Sequence, residues 1–129
     1  MINILANDGI SVSAIEKLNK NGFHVETTSV SQEELADSIN KNNFEVVLVR
    51  SATKIRKDII DKCPNLKIIG RGGVGMDNID VKYAEQNNIL VINTPAASSS
   101  SVAELVFAHL FGMVRFLYAS NRLMPMEGD

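Results

Sequence analysis

Several short segments of the chain carry residue types suited to holding an anion. Arg50 directly follows the aliphatic run Val46-Val47-Leu48-Val49 and precedes Ser51-Ala52-Thr53. A guanidinium suits a carboxylate or phosphate because its fork of N–H donors meets two oxygens at once. Taken alone, Arg50 reads equally as an arginine that has merely reached solvent, and Ser51 and Thr53 read as caps for a following helix. Gly70-Arg71-Gly72-Gly73-Val74-Gly75 sets glycines around a second arginine. Glycine backbone comes close to a ligand, and its free N–H groups can cradle a small anion. The competing reading is a sharp turn with a glycine-demanding dihedral. Arg71 is a second anion candidate whose direction the loop leaves open.

The same stretch matches G-x-G-x-x-G. A dinucleotide fingerprint, however, belongs to a first strand-turn-helix unit, its helix starts within the motif, and an acid for the ribose follows about twenty residues on. Here the motif follows the fourth strand-like run, Met76 to Ile79 intervene before a helix capped by Asp80, and the next strand ends at Asn93 without such an acid. A small-anion cradle is the better reading. His24 and His109 are far apart, Cys63 is the single cysteine, and neither histidine sits in a strand-end loop. No metal site and no acid–base residue is therefore expected.

The elements that position these residues are legible as an alternation. Apolar, β-rich runs recur at Ile2 to Ala6, Phe23 to Thr27, Glu45 to Val49, Leu66 to Ile69 and Ile89 to Ile92. Between them lie segments of helical spacing. Ser13 with Glu16 and Ser31 with Glu34 fit the capping box. The first helix is expected to stop at Gly22, the second to bury Leu35 and Ile39, the third to carry Ile55, Ile59, Ile60 and Cys63 up to Pro64, and a short fourth to run from Asp80 to Asn87-Asn88. Strands joined by short helical connections are parallel with right-handed crossovers. The unbroken run at 46–49 reads as a strand covered on both faces, whereas Phe23-His24-Val25-Glu26 alternates and belongs at an edge. The expectation is an α/β, doubly wound, five-stranded parallel sheet of flavodoxin-like order, with ligands at the carboxyl ends of its strands. The loops there are Asn7-Asp8-Gly9, Arg50 to Thr53, Gly70 to Asn78 and Asn93-Thr94-Pro95.

Size and charge fit a soluble domain. The chain has 129 residues, 45% apolar and 22% charged, with a net charge of −2. That balance offers no footprint for nucleic acid or an anionic membrane. One cysteine excludes an internal disulfide and suits a reducing compartment, and no leader is evident, so a cytoplasmic protein is expected.

After Pro95 the pattern changes. Ser101-Val102-Ala103-Glu104 is a third capping-box match, and one helix is expected from there to about Ser120. Apart from a stripe of Glu104, Gly112, Arg115 and Arg122, its surface is apolar almost all round. Glu104, His109 and Arg115 argue against a membrane span, and a helix this greasy is normally enclosed by protein. The residues after Ser120 cannot enclose it, so the chain is expected to divide near residue 97, with a second domain only begun in 98–129.

Two other folds of this topology are disfavoured by their chemistry. A receiver domain needs an Asp after strand three, where Arg50 stands, and a Lys after strand five, where Asn93 stands; its acid pair after strand one is reduced to Asp8. A flavodoxin needs a Ser/Thr-rich phosphate loop where Asn7-Asp8-Gly9 occurs.

Val49-Arg50-Ser51-Ala52-Thr53-Lys54, Gly70-Arg71-Gly72-Gly73-Val74-Gly75-Met76-Asp77-Asn78-Ile79-Asp80, Asn93-Thr94-Pro95 and Ser101-Val102-Ala103-Glu104-Leu105 together resemble the D-isomer-specific 2-hydroxyacid dehydrogenases, in order and along the whole chain. Within that family the likeness is strongest to members that oxidise 3-phosphoglycerate to 3-phosphohydroxypyruvate, the opening step of serine biosynthesis. Gly72 stands where Ala is commoner, and Ala96-Ala97-Ser98 replaces a Gly/Asn-rich stretch. The resemblance implies an NAD domain of Rossmann type inserted into a flavodoxin-like substrate domain. It implies that Arg50 and Ser51 face a phosphorylated 2-hydroxy acid, that the amides of Gly73, Val74 and Gly75 hold its carboxylate, and that Val74 lies beside the nicotinamide. It further implies that the helix 101–120 opens the NAD domain and forms a homodimer interface. The family's dinucleotide motif and its catalytic Arg, Glu and His are expected beyond residue 129, which would leave this segment inactive alone. The alternative is a non-catalytic flavodoxin-like module that binds a small anion or a protein.

Overall fold

In the computed structural model, which describes residues 1–127, the β-branched and aliphatic runs form five parallel strands. They are β1 (Ile2–Ala6), β2 (Phe23–Glu26), β3 (Phe44–Val49), β4 (Ile68–Arg71) and β5 (Leu90–Asn93). The order is β2-β1-β3-β4-β5, the doubly wound arrangement expected. β3 pairs with β1 on one side and β4 on the other, and Phe44, Val46, Val47 and Val49 are buried. β2 and β5 form the edges and are only half-covered, which is why β2 alternates in sequence. The last two strands each begin later than the apolar runs suggest. Leu66 and Ile89 are buried but precede the ladder, which starts at the pair Ile68 and Leu90.

The connecting helices are α1 (Val12–Lys20), α2 (Leu35–Lys41), α3 (Lys57–Lys62) and α4 (Val81–Gln86). Their starts correct three expectations. α1 is capped by Ser11, whose hydroxyl accepts the Ala14 N–H at 3.3 Å, so the expected cap Ser13 lies inside the helix and bonds only the Ser11 hydroxyl at 3.1 Å. Ser31 does donate to Glu34 Oε2 at 3.1 Å, but within a turn that precedes α2. Ile55 is not helical: it forms a parallel bridge with Ile79, and α3 begins two residues later. Gly22 takes φ +84° after α1. Asn43 and Asn88 adopt left-handed conformations after α2 and α4 (φ +49° and +59°), a role asparagine fills more readily than other non-glycine residues.

One core joins these layers. Leu5, Val47, Val49 and Ile69 from the sheet meet Leu35 and Ile39 of α2, Ile59 and Ile60 of α3, and Ile55, Cys63 and Ile79. Burying each large aliphatic side chain contributes roughly 1.5–3 kcal/mol. This holds the strand ends, and the loops that leave them, in one frame.

The chain separates into two compact units, Met1–Pro95 and Ala96–Asp129. The second contains α5 (Ser99–Val114) and α6 (Leu117–Glu127). The expected single helix from Ser101 to about Ser120 is thus two helices bent by 52°. The first starts two residues before Ser101, following Ser98, so Ser101 and Glu104 do not form a capping box. The last turn of α5 tightens, with the Phe116 N–H on the Met113 carbonyl at 3.3 Å, and Phe116 takes φ +52°, which ends the helix. None of the α5 side chains is buried, and Phe107 stacks on Phe111 with ring centroids 6.2 Å apart. Among the described residues no single helix is long and apolar enough to cross a membrane.

Candidate functional site

The buried strand β3 delivers Arg50 to the carboxyl edge of the sheet, where Arg50 to Thr53 form a four-residue loop. Two side chains from other segments hold it. Asp8, two residues after β1, accepts the N–H of Arg50 at 2.6 Å and of Thr53 at 3.2 Å on Oδ2. Its Oδ1 accepts the Thr53 hydroxyl at 2.5 Å. That hydroxyl accepts from Asn7 Nδ2 at 2.8 Å, and Asn7 pairs with the backbone of Val30 in both directions. From the opposite side, Asn78 Nδ2 donates to the carbonyls of Arg50 at 2.9 Å and Thr53 at 2.7 Å. Thr53 is therefore part of a buried network, not the cap of α3 that its position suggests. Burial pulls the Asp8 carboxyl upward, but the Thr53 hydroxyl and the amides of Arg50 and Thr53 outweigh it and leave its pKa below the ordinary aspartate value.

Two glycines of the Gly-rich segment serve different ends. Gly70 lies within β4, where a Cβ would stand 2.6 Å from Leu48 Cδ2, so its role is close packing. Gly73 has φ +153°, and a Cβ there would fall 1.5 Å from Arg71 Nη1: the Arg71 guanidinium lies directly on the glycine backbone. Arg71 Nε is buried without a partner. The Gly73 amide donates to the Arg71 carbonyl at 3.0 Å, the Gly73 carbonyl accepts the Thr94 N–H at 3.1 Å, and the Val74 carbonyl accepts Asn93 Nδ2 at 2.8 Å. The loop is so tied to the end of β5, while the amides of Val74 and Gly75 meet no protein acceptor among the described residues. No helix begins within the motif, since the next one starts at Val81. A pyrophosphate would meet no helix N-terminus here, and the loop does not fit one.

A cleft of about 690 Å³ opens along this edge of the sheet. Arg50, Arg71, Gly72, Asn93 and Thr94 line it together with Asp8, and its floor is apolar, made by Leu48, Gly70 and Ile92. The structure thus brings both sequence-nominated arginines into one cleft. Ser51 is exposed beside it, and Gly73, Val74 and Gly75 lie outside its wall, with Val74 51% exposed. Two arginines and a single carboxylate, whose oxygens already accept three bonds, line this cleft, a charge balance that favours an anionic ligand. Residue type alone does not mark Asp8 and Asn78 as site residues. The available signal was position: an acid directly after a buried first strand, and an asparagine closing the Gly-rich loop.

A family model described as D-isomer specific 2-hydroxyacid dehydrogenase, catalytic domain, matches residues 4–120. The D-3-phosphoglycerate dehydrogenase of Methanocaldococcus jannaschii is 43% identical over 115 residues, covering 89% of this chain and 22% of that protein. The hydroxypyruvate reductase of Thermotoga maritima is 42% identical over 112 residues, covering 86% of this chain and 36% of that protein. Among solved structures, NAD+-bound 3-phosphoglycerate dehydrogenase of Entamoeba histolytica matches with a TM-score of 0.71 and 31% identity, over 86% of this chain and 38% of that one. The chain spans well under half the length of each of these relatives.

Proposed function

The chain belongs to the D-isomer-specific 2-hydroxyacid dehydrogenase family, and from that premise we propose that it supplies the substrate-anion cradle of an NAD-dependent enzyme oxidising 3-phosphoglycerate to 3-phosphohydroxypyruvate. The convergence of Arg50 and Arg71 in one cleft carries this reading. Arg50 and Ser51 take one anionic group of the substrate, with Arg71 as the second cation. The unclaimed amides of Val74 and Gly75 hold the carboxylate, joined by the Gly73 amide once it leaves the Arg71 carbonyl. Val74 supplies the exposed apolar surface for the nicotinamide ring, and bound NAD provides the hydride acceptor.

Among the described residues this cleft offers the substrate hydroxyl proton no uncommitted carboxylate. Among the described residues Asp8 is the one carboxylate lining it; its oxygens accept hydrogen bonds from Thr53 and Arg50, and its pKa is lowered. Residues 1–129 on their own therefore bind substrate without reducing NAD. Residues 1–97 form the substrate domain of a cytoplasmic enzyme, and 98–129 open an NAD domain of Rossmann type. The apolar helical region 101–120 is the homodimer contact, because an uncovered apolar surface of this extent drives association.

Isothermal titration of the chain with 3-phosphoglycerate tests the assignment. Binding that falls at least tenfold in Arg50→Ala supports it; binding that ignores Arg50 rejects it. The 42% identity to a hydroxypyruvate reductase favours a second, unphosphorylated substrate, and tighter binding of hydroxypyruvate than of phosphoglycerate would select it.

A further inference from the structure

We propose that Asp8 and Asn78 form a two-sided clamp that aims Arg50 into the cleft, making both positioning residues for the substrate anion; this rests on the assignment of Arg50 to that anion. The same two loop residues, Arg50 and Thr53, are gripped on both polar sides. Asp8 takes their N–H groups and Asn78 takes their C=O groups, four bonds from two side chains. A loop of four residues with its first and last peptide groups fixed in this way has little freedom to redirect the side chain at its start.

Two details separate this from ordinary loop packing. Asp8 lines the same cleft as Arg50, yet the two side chains form no ion pair. The carboxylate is occupied by backbone N–H groups and the Thr53 hydroxyl, which leaves the Arg50 guanidinium available to a ligand. Asn78 is 5% exposed and its Oδ1 is buried without a partner. An orphaned buried acceptor costs stability, so what Asn78 contributes is held by its amide nitrogen, which makes both bonds to the loop. Asn78 also ends the segment that carries Arg71 and the free amides of Val74 and Gly75. Its bonds to Arg50 and Thr53 therefore set the spacing between the two halves of the cradle.

The test is a cycle of Asp8→Asn, Arg50→Ala and the double variant in the 129-residue chain, read by 3-phosphoglycerate titration and by amide hydrogen exchange. Asp8→Asn keeps the shape and replaces one acceptor oxygen with a donor. It is expected to weaken binding about tenfold and to add nothing in the Arg50→Ala background, because its effect passes through Arg50. Equal loss in both backgrounds, or no loss in either, overturns the proposal. If the parent chain does not bind phosphoglycerate, the anion assignment fails, and exchange then decides the clamp. Faster exchange at Arg50 and Thr53 with β1 and β3 unchanged upholds it; unaltered exchange at those two amides overturns it. Should Asp8→Asn unfold, Thr53→Val removes the two hydroxyl bonds, the one to Asp8 Oδ1 and the one from Asn7 Nδ2, and keeps the backbone bonds of Thr53; it is expected to weaken binding severalfold, and unchanged affinity there also overturns the clamp.

Discussion

The Asp80 carboxylate accepts the backbone N–H of Lys57, the first residue of a helix to which it does not belong, at 2.9 Å. Its other oxygen takes the Arg56 guanidinium at 2.9 Å. α3 has only six residues and no side-chain cap of its own, so the residue before α4 does the capping for α3 across the structure. The Arg56 guanidinium, then the Lys57 amide, hold the Asp80 pKa below its ordinary value.

Asp80→Ala is accordingly expected to lower the urea midpoint and to speed exchange at Lys57, with exchange at the buried β3 amides unchanged. Asp80→Asn keeps one acceptor and should fall between the variant and the parent. Exchange at Lys57 that is indifferent to both substitutions would remove Asp80 as the cap.

Gly73→Ala places a methyl where the Arg71 guanidinium now lies and forces a non-glycine residue to φ +153°. The strain costs roughly 1–3 kcal/mol and the arginine must swing away. Urea denaturation should show the loss, and phosphoglycerate titration should show weakened binding. A variant as stable as the parent would mean that Gly73 has relaxed to another conformation.

Acid should destabilise the first unit, and Asp8 should account for part of it. Its folded pKa lies below the ordinary 3.8, so its contribution is complete above that value and drains away as pH falls through the folded pKa. Glu26, held down chiefly by the Thr28 hydroxyl, and Asp80 act in the same direction. Urea midpoints measured from about pH 5 to about pH 2 should fall less steeply in Asp8→Asn than in the parent chain. Parallel curves would contradict the depressed pKa.

Burial raises the Cys63 thiol to about 11, despite the pull of Lys62. At about pH 8 little thiolate forms, and the side chain is 1% exposed in the core. Iodoacetamide should modify the chain in urea and spare it when folded. Equal rates in the two states would show that the core around Cys63 opens readily.

Which features were legible follows from where the information lies. The alternation of His24 and Glu26 with Phe23 and Val25 marks an edge strand because half-burial leaves a period of two, and β2 is at the edge. The unbroken apolar run at 46–49 marks the covered β3 for the complementary reason. Helix starts are less legible: Ser11 and Ser13 are chemically equivalent as caps, and the folded chain uses Ser11. The break at Phe116 carries no Gly, Pro or Asn, so local sequence holds no sign of it. Within the site, Arg50 and Arg71 announce themselves by charge and place. Asp8 and Asn78 do not, because their partners are backbone groups of residues far along the chain, and that pairing exists only once β1, β3 and β4 are side by side.

The strand order β2-β1-β3-β4-β5 has a consequence for how the protein is made. Taken in chain order, each strand stands at an outer edge of those before it: β2 on one side of β1, β3 on the other, then β4 and β5 in turn. No strand must be threaded between two that are already paired. Asp8, the anchor of the Arg50 loop, precedes it in the chain, and Asn78, which holds the loop from the other side, follows both.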